Sequence, residues 1–380
     1  MGPLSGIRII EIAGIGPGPF CGMMLADHGA EVIRVDRTPA GPALFGSSVK
    51  DVLNRSRKGI SVNLKSPEGT ELVRRLCRSA DGLIEGFRPG VMERLGLGPD
   101  VLLQDNPKLV YGRMTGWGQD GPYAHTAGHD INYIALSGAL HAIGRAGEKP
   151  LPPINLVGDF GGGGMMLAFG MVAALLKARE TGAGQVVDCA MTEGSAVLMS
   201  MMYSIRSSGH WTDKRGSNII DSGAHFYDTY ETSDGRFISL GAVEPQFYRQ
   251  LLELLGLSHD EEFQVQMDAR RWPRLKDRLT ELFKTRTRDE WCRVFEGTDV
   301  CFAPVMSMAE APAHAHNAAR RAFVEIDGVV QPAPAPRYSA TPTHAPTAMT
   351  SSEAVTAELL SDIGYSTTEI DRIRSMGVVV

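Results

Sequence analysis

The chain has 380 residues, of which 43% are hydrophobic and 22% are charged, proportions that are typical of soluble globular proteins. This length favours two domains. The net charge of −6 argues against non-specific nucleic-acid binding, and five scattered cysteines without CxxC spacing argue against a disulfide framework or a zinc site. Because the sequence contains neither a signal-peptide pattern nor a long uninterrupted apolar run, we expect a cytoplasmic protein without a membrane span.

Strands and helices alternate along the first two hundred residues. Apolar strand patterns are found at residues 7–12, 31–36, 60–64, 82–85, 108–113 and 184–191. Helices are predicted at residues 20–28 and 192–208, and also after Ser66-Pro67-Glu68, which supplies an N-cap, a first-turn proline and an acidic dipole partner for a helix that ends near Ser79. The alternation predicts an α/β fold with a doubly wound, largely parallel, Rossmann-like sheet, of which residues 184–191 form the last central strand.

The pattern changes after this region. Residues 227–232 and 236–243, joined by Ser-Asp-Gly, predict a hairpin, and helices are expected at residues 246–255 and 274–284. Residues 331–346 hold five prolines and predict an extended linker, and residues 353–376 predict a further helical stretch. The predicted domain organisation is a large α/β domain at 1–208, a linker at 209–224, a smaller α+β domain at 225–310, and a return linker with a C-terminal segment on the large domain at 311–380.

The loop at residues 14–19 resembles a dinucleotide-binding turn because its glycines follow a strand and precede a helix. Pro19 stands where the third glycine of that motif belongs, and Pro17 and Pro19 both lack the N–H groups that a pyrophosphate would need. A tight strand-to-helix turn is therefore the favoured interpretation.

His129 and Asp159 are the most informative residues, because each is expected at a junction between a loop and a helix. A helix that starts at Asp130 would keep His129 a neutral base near pH 7, whereas the helix after Asp159 would stabilise a carboxylate or use Asp159 as its N-cap. Four consecutive glycines at residues 161–164 suggest a close approach to the backbone, for which a bound ligand is the predicted cause. An imidazole and a carboxyl in one site could exchange protons with one carbon atom.

Two further patterns indicate the kind of ligand. Arg37, Lys65 and Arg88 each follow a predicted strand, where together they could hold phosphate groups. Methionines are frequent between residues 165 and 202; they either fill the core or provide a deformable surface for acyl chains.

With these segments the sequence resembles the alpha-methylacyl-CoA racemases of the family III CoA-transferase (CaiB/BaiF) group. The resemblance rests on residues 14–19, 86–90, 115–119, 128–133, 155–164 and 244–248. It implies that His129 and Asp159 are the two bases at C2 of the acyl group, that Glu244 orients His129, and that Asn155 supports Asp159. It further implies an interlocked homodimer in which the small domain of one subunit completes the site of the other.

The resemblance also implies a binding site for the CoA part of the substrate, with no separate cofactor and no metal. The implied CoA-binding residues are Arg37, Val62, Asn63, Leu64, Lys65, Gly86, Phe87, Arg88, Arg94, Gly128, Asp130, Ile131, Asn132 and Tyr133. The expected reaction is interconversion of (2R)- and (2S)-2-methylacyl-CoA through an enolate, in fatty-acid or other lipid metabolism. The alternatives are a CoA-transferase in which Asp159 is the nucleophile, and a non-catalytic acyl-CoA-binding protein.

Overall fold

The computed structural model describes residues 2–38 and 51–380, which form two compact units. The first unit contains Met1–Ser137, Ile154–Leu198 and Ala315–Val380, and the second contains Gly138–Pro153 and Met199–His314. The chain therefore passes between the units more often than a simple succession of domains would require. The domain limits given above, 1–208 and 225–310, remain a prediction.

A six-stranded parallel sheet lies at the centre of the first unit. Its strands are β1 (Arg8–Ile12), β2 (Glu31–Arg37), β3 (Arg57–Val62), β4 (Gly82–Glu85), β5 (Val110–Thr115) and β6 (Gln185–Ala190). Their order is β3-β2-β1-β4-β5-β6, and every neighbouring pair is parallel. This confirms the doubly wound α/β fold. The prediction that residues 184–191 form a central strand is wrong, because β6 ends the order and leaves Val186 40% exposed.

The α-helices surround this sheet and continue through the second unit. In chain order they are α1 (Pro17–Asp27), α2 (Pro67–Arg78), α3 (Val91–Arg94), α4 (Pro99–Asp105), α5 (Asp130–Leu136), α6 (Ala139–Ala142), α7 (Met166–Thr181), α8 (Met191–Leu198), α9 (Ser200–Ser207), α10 (Pro245–Leu254), α11 (Trp272–Phe283), α12 (Arg288–Phe295), α13 (Ala315–Ala319), α14 (Glu353–Asp362) and α15 (Thr367–Ser375). The predicted cap of α2 is confirmed, since the Ser66 hydroxyl accepts the Gly69 N–H at 3.0 Å. The first helix begins earlier than predicted, at Pro17, because the first turn tolerates a residue without an N–H.

Two apolar layers cover the faces of the parallel sheet. On one face, Leu72 and Val73 of α2 pack with Leu360 of α14 and Ile370 of α15. On the other face, Leu25 of α1 packs with residues of α7 that include Leu167 and Met171. The C-terminal helices therefore belong to the core of the first unit, and both faces of each central strand are buried, which explains the continuous apolar runs in the sequence.

A helical stretch of 26 residues, Leu156–Thr181, combines a π-helix at Leu156–Met165 with α7. By length and composition alone it could cross a membrane, a test that a core helix of a soluble protein also passes. The sequence analysis found no such span. Leu167, Met171 and Leu175 on one side of the stretch are buried in the core, whereas Phe169 and Leu176 on the other side are 75% and 72% exposed.

The second unit has a small antiparallel sheet covered by helices. The predicted hairpin is confirmed as β7 (Tyr227–Glu231) and β8 (Phe237–Gly241), to which a third strand, β9 (Phe302–Pro304), is added. Its core contains Phe226, Tyr248 and Trp272, together with aromatic residues of α11 and α12. A separate hairpin of the first unit, β10 (Phe323–Ile326) and β11 (Val329–Pro332), takes up the first two residues of the predicted proline-rich linker.

Candidate active site

The predicted site residues of the first unit lie at the carboxyl ends of the parallel strands and at the starts of helices. In the order β3-β2-β1-β4-β5-β6 the connections change direction between β1 and β4. The loops that leave these two strands, residues 13–16 and 86–90, therefore flank a crevice of the kind in which open α/β sheets bind ligands. His129 belongs to the connection after β5, and Asp159 lies in the first turn of the long helical stretch.

His129 is the N-cap residue of α5, as the sequence predicted from a helix start at Asp130. Its backbone is extended, and its N–H donates to Oδ1 of Asn132 at 3.0 Å, which fixes the first turn. The His129 side chain is exposed. An imidazole in this position is accessible to a substrate and stands at the positive end of a helix dipole.

Asp159 is half-buried in the first turn of the π-helix. Asn155, the N-cap residue, donates its side-chain N–H to Oδ2 of Asp159 at 3.1 Å. Burial raises the pKa of the Asp159 carboxyl above its ordinary value; the Asn155 hydrogen bond opposes this rise, the charge of Asp130 adds to it, and His129 opposes it. The alternative that Asp159 is an N-cap is wrong, because Asn155 occupies the cap. The helix start was expected to favour the carboxylate, and burial acts in the opposite direction and determines the net rise in pKa.

Asp130 links the two candidate bases. It follows His129 directly in the chain, and its Oδ1 accepts the backbone N–H of Asp159 at 2.8 Å. A Cβ atom on Gly158 would lie 2.4 Å from this oxygen, so the contact requires glycine at residue 158. This connection holds the start of α5 and the start of the π-helix in one site.

The glycines that follow Asp159 leave space for neighbouring segments of the protein and not for a ligand. A Cβ on Gly162 would lie 2.6 Å from the backbone N of Ser195 in α8, and one on Gly164 would lie 2.8 Å from the backbone O of Pro17 in α1. The predicted ligand against residues 161–164 is therefore wrong, because α1 and α8 pack directly on this backbone. Gly16 of the first glycine loop instead approaches the site itself, since its Cβ would lie 3.3 Å from Oδ2 of Asp159.

The residues implied in CoA binding fall into two groups. Exposed side chains that a ligand can reach belong to Arg37, Lys65, Arg88 and Arg94. By contrast, Val62 is fully buried, so a ligand could contact it through the backbone only, whereas Leu64 and Phe87 are partly buried and pack against the core. The Val62 carbonyl already accepts the Thr38 N–H at 3.2 Å.

Tyr133 connects the His129 segment to the loop after β5, a role that the sequence analysis did not assign. Its hydroxyl donates to the carbonyl of Gly128, and its ring packs edge-on against Trp117 with centroids 4.8 Å apart. A Cβ on Gly116 would lie 2.1 Å from the Tyr133 ring. Burial and the charge of Asp159 raise the pKa of Tyr133 to about 12. The glycines at 116 and 128 were the available signal for this close packing.

The remaining predicted residue, Glu244, belongs to the second unit. It is the exposed N-cap residue of α10, directly before Pro245. Among residues 2–38 and 51–380, no group of three or more His, Cys, Asp or Glu side chains could hold a metal ion.

Comparisons with known proteins identify the family of the chain and agree with its fold. The sequence profile described as CoA-transferase family III matches residues 4–353. The chain is 47% identical to alpha-methylacyl-CoA racemase from Mus musculus and 44% identical to that from Homo sapiens, in each case over 99% of this chain and 97% of the relative. Among solved structures, a CAIB/BAIF family protein from Brucella suis is similar with a TM-score of 0.80 and 27% identity, over 94% of this chain and 99% of that one.

Proposed function

The chain belongs to CoA-transferase family III, and we propose that it is an alpha-methylacyl-CoA racemase that interconverts the 2R and 2S epimers of 2-methylacyl-CoA thioesters. The observation that carries this proposal beyond the family is the pair of unlike acid/base groups, His129 and Asp159, held in one site by the Asp159 N–H to Asp130 hydrogen bond. Inversion at one carbon requires a base on one side and an acid on the other, which two groups of different chemistry can provide.

In the proposed mechanism one group removes the proton at C2 and the other returns a proton to the opposite face. In one direction His129 accepts the proton and Asp159 donates one, and in the reverse direction the roles are exchanged. The raised pKa of Asp159 supports this scheme because it makes a protonated Asp159 accessible nearer neutral pH. The negative charge on the thioester oxygen of the enolate would be stabilised by the backbone N–H groups of Asp130 and Ile131 at the start of α5, since the N–H groups of His129 and Asn132 already donate to Asn132 and His129.

The CoA part of the substrate would bind along the carboxyl ends of β2, β3 and β4. Arg37 is the last residue of β2, and Lys65 and Arg88 follow β3 and β4; all three expose their side chains, as does Arg94 on α3. Guanidinium groups can bind phosphate oxygens through paired hydrogen bonds, and lysine contributes a point charge. We propose that no cofactor is needed beyond the CoA of the substrate.

Incubation of a single C2 epimer of a 2-methylacyl-CoA in heavy water tests the racemase. The expected product is a mixture of epimers that carries one deuterium at C2. We expect His129→Ala and Asp159→Ala each to lower the turnover by about 100-fold or more, the usual loss for a general acid/base. Recovery of unlabelled and unchanged starting material with the wild-type protein would reject the function, and full activity of either variant would remove that residue from its role.

CoA transfer is the second candidate, because the family includes CoA-transferases. In that reaction the Asp159 carboxylate would attack the thioester carbonyl, the C–S bond would break with release of the CoA thiolate, and the acyl group would remain on Asp159 as an anhydride. His129 has no place in such an attack, so its presence beside Asp159 favours racemisation. Hydroxylamine in the presence of an acceptor acid would trap the acyl group on Asp159 if the chain were a transferase, and labelling of C2 without trapping would support the racemase.

We further propose an interlocked homodimer in which Glu244 of the partner subunit orients His129. An apolar surface on the first unit supports this proposal: Phe169, Val172 and Leu176 of α7 are 75%, 40% and 72% exposed, and β6 is an unpaired sheet edge. Large exposed apolar surfaces commonly mark interfaces between protein chains. A role in lipid metabolism and a cytoplasmic location complete the proposal.

A further inference from the structure

Asp130 has a buried carboxyl group whose only part in the proposed reaction so far is to accept the backbone N–H of Asp159. The residue is 6% exposed. One oxygen, Oδ1, accepts the Asp159 N–H at 2.8 Å, whereas Oδ2 is buried and has no hydrogen-bond partner among the described residues. A buried polar atom without a partner costs stability, and a buried charge without a partner costs more. Oδ1 therefore contributes to stability through its hydrogen bond, whereas the buried Oδ2 does not.

The surroundings of Asp130 are built to bring it against the start of the π-helix. Gly158 precedes Asp159 and leaves the space that Oδ1 occupies, because a Cβ there would lie 2.4 Å from Oδ1 and 2.9 Å from Cγ. The other ionisable groups that act on Asp159 or on its neighbour Tyr133 are His129 and Arg88. Gly16, the residue before α1, approaches Oδ2 of Asp159 and brings no ionisable side chain.

We propose that Asp130 is a positioning residue for the two-base reaction: it fixes the backbone of Asp159 relative to His129 and places a second carboxylate beside Asp159. This inference rests on the proposed racemase function. Asp130 itself exchanges no proton with the substrate. It acts through Asp159, which must hold a proton in one of the two active forms of the free enzyme.

The charge of Asp130 works in the direction that the reaction needs. It raises the pKa of Asp159, as burial also does, and it opposes the hydrogen bond from Asn155 and the charge of His129. Replacing Asp130 by asparagine keeps an oxygen that can accept the Asp159 N–H and removes only the charge. The pKa of Asp159 should then fall, so that less of the enzyme carries a proton on Asp159 at a given pH.

The test is the pH dependence of kcat/KM for Asp130→Asn in the heavy-water assay, since this profile reports the ionisation of the free enzyme. We expect its acid limb to move to lower pH, as for a carboxyl that loses a like-charged neighbour. Asp130→Ala also removes the hydrogen bond from the Asp159 N–H and should therefore lower kcat more than Asp130→Asn does. By the same argument Gly158→Ala, which pushes the two residues apart, should move the acid limb in the same direction.

Asp81→Asn is the matched control. The Asp81 carboxylate accepts the Arg8 backbone N–H at 2.8 Å, the same kind of bond, but at the amino ends of the strands. Its profile should equal that of the wild type. The inference would be overturned by an unchanged acid limb in Asp130→Asn, or by an equal shift in Asp81→Asn, while exchange in the wild type still supported the racemase. Absence of exchange in the wild type would instead reject the racemase function.

A second measurement applies if the Asp130 variants do not fold. In wild-type protein labelled with ¹³C at the aspartate carboxyl carbons, the Asp159 signal can be assigned by its loss in Asp159→Asn. Titration should give a pKa above that of an ordinary aspartate. The pKa of Asp159 should be lower in Gly158→Ala, which separates Asp130 from Asp159, and equal values in the two proteins would overturn the inference, because the carboxylate of Asp130 would then have no effect on the ionisation of Asp159.

Discussion

Replacement of Gly16 by alanine tests whether the first glycine loop shapes the catalytic site. Gly16 has φ 65° and ψ −114° at the start of α1, a backbone conformation that side chains with a Cβ rarely adopt. Residues held in such regions cost about 1–3 kcal/mol each. The new methyl group would also lie 3.3 Å from Oδ2 and 3.8 Å from Cγ of Asp159, so either the loop or the carboxyl must shift by a few tenths of an ångström.

A shift of the Asp159 carboxyl weakens its hydrogen bond from Asn155, because both contacts involve Oδ2. Misplacement of a catalytic group by even a fraction of an ångström disturbs proton transfer, and about 1.4 kcal/mol of lost transition-state stabilisation lowers the rate about tenfold. We therefore expect Gly16→Ala to lower kcat by about tenfold or more, together with a fall of several degrees in Tm.

Gly14→Ala in the same loop is the control, because a Cβ at residue 14 would meet no atom within 4 Å and the residue has no positive φ. The assays are the heavy-water exchange rate at saturating substrate and thermal unfolding followed by circular dichroism. If Gly16→Ala were as active as Gly14→Ala, the close approach of this loop to Asp159 would have no part in catalysis and the reasoning would be refuted.

Three further predictions follow from contacts in the first unit. Asn155→Ala removes the hydrogen bond that lowers the pKa of Asp159. The acid limb of the kcat/KM profile should therefore move to higher pH, opposite to the shift expected for Asp130→Asn. A shift to lower pH would contradict the assignment of this limb to Asp159. Burial of Glu85 outweighs its ion pair with Arg113 and raises the pKa of Glu85 from 4.5 to about 7. The folded state therefore holds this proton more tightly than the unfolded state, and stability falls by up to about 3 kcal/mol as the pH rises from 4.5 to 7. Glu85→Gln should flatten this part of the dependence of Tm on pH, and a slope equal to that of the wild type would refute the argument. The double variant Phe169→Glu with Leu176→Glu should weaken the proposed homodimer by at least about 100-fold, since each buried side chain contributes about 1.5–3 kcal/mol. Sedimentation velocity should then show monomers. The control, Met376→Glu on the opposite side of the sheet, should leave the association unchanged.

The elements that position the site could be predicted from local sequence. The start of α5 after His129 and the cap of α2 at Ser66 depend on neighbouring residues only, because caps and first-turn prolines satisfy groups within a few residues of themselves. The apolar strand patterns likewise identified the strands of the parallel sheet, because residues buried on both faces leave a continuous apolar signal. The family resemblance then implied that His129 and Asp159 are the two bases of one reaction.

Tertiary structure decided which parts of the chain approach one another. The sequence indicated a close approach to the backbone of residues 161–164 but could not show that α1 and α8 are the neighbours, since a glycine does not indicate which group approaches it. It also could not show that β6 lies at a sheet edge, because strand order depends on long-range pairing. The bond between Asp130 and the Asp159 N–H joins segments 29 residues apart. The sequence by itself therefore determined the fold class and the two candidate bases, whereas packing between distant segments determined how those bases are held and how Asp159 ionises.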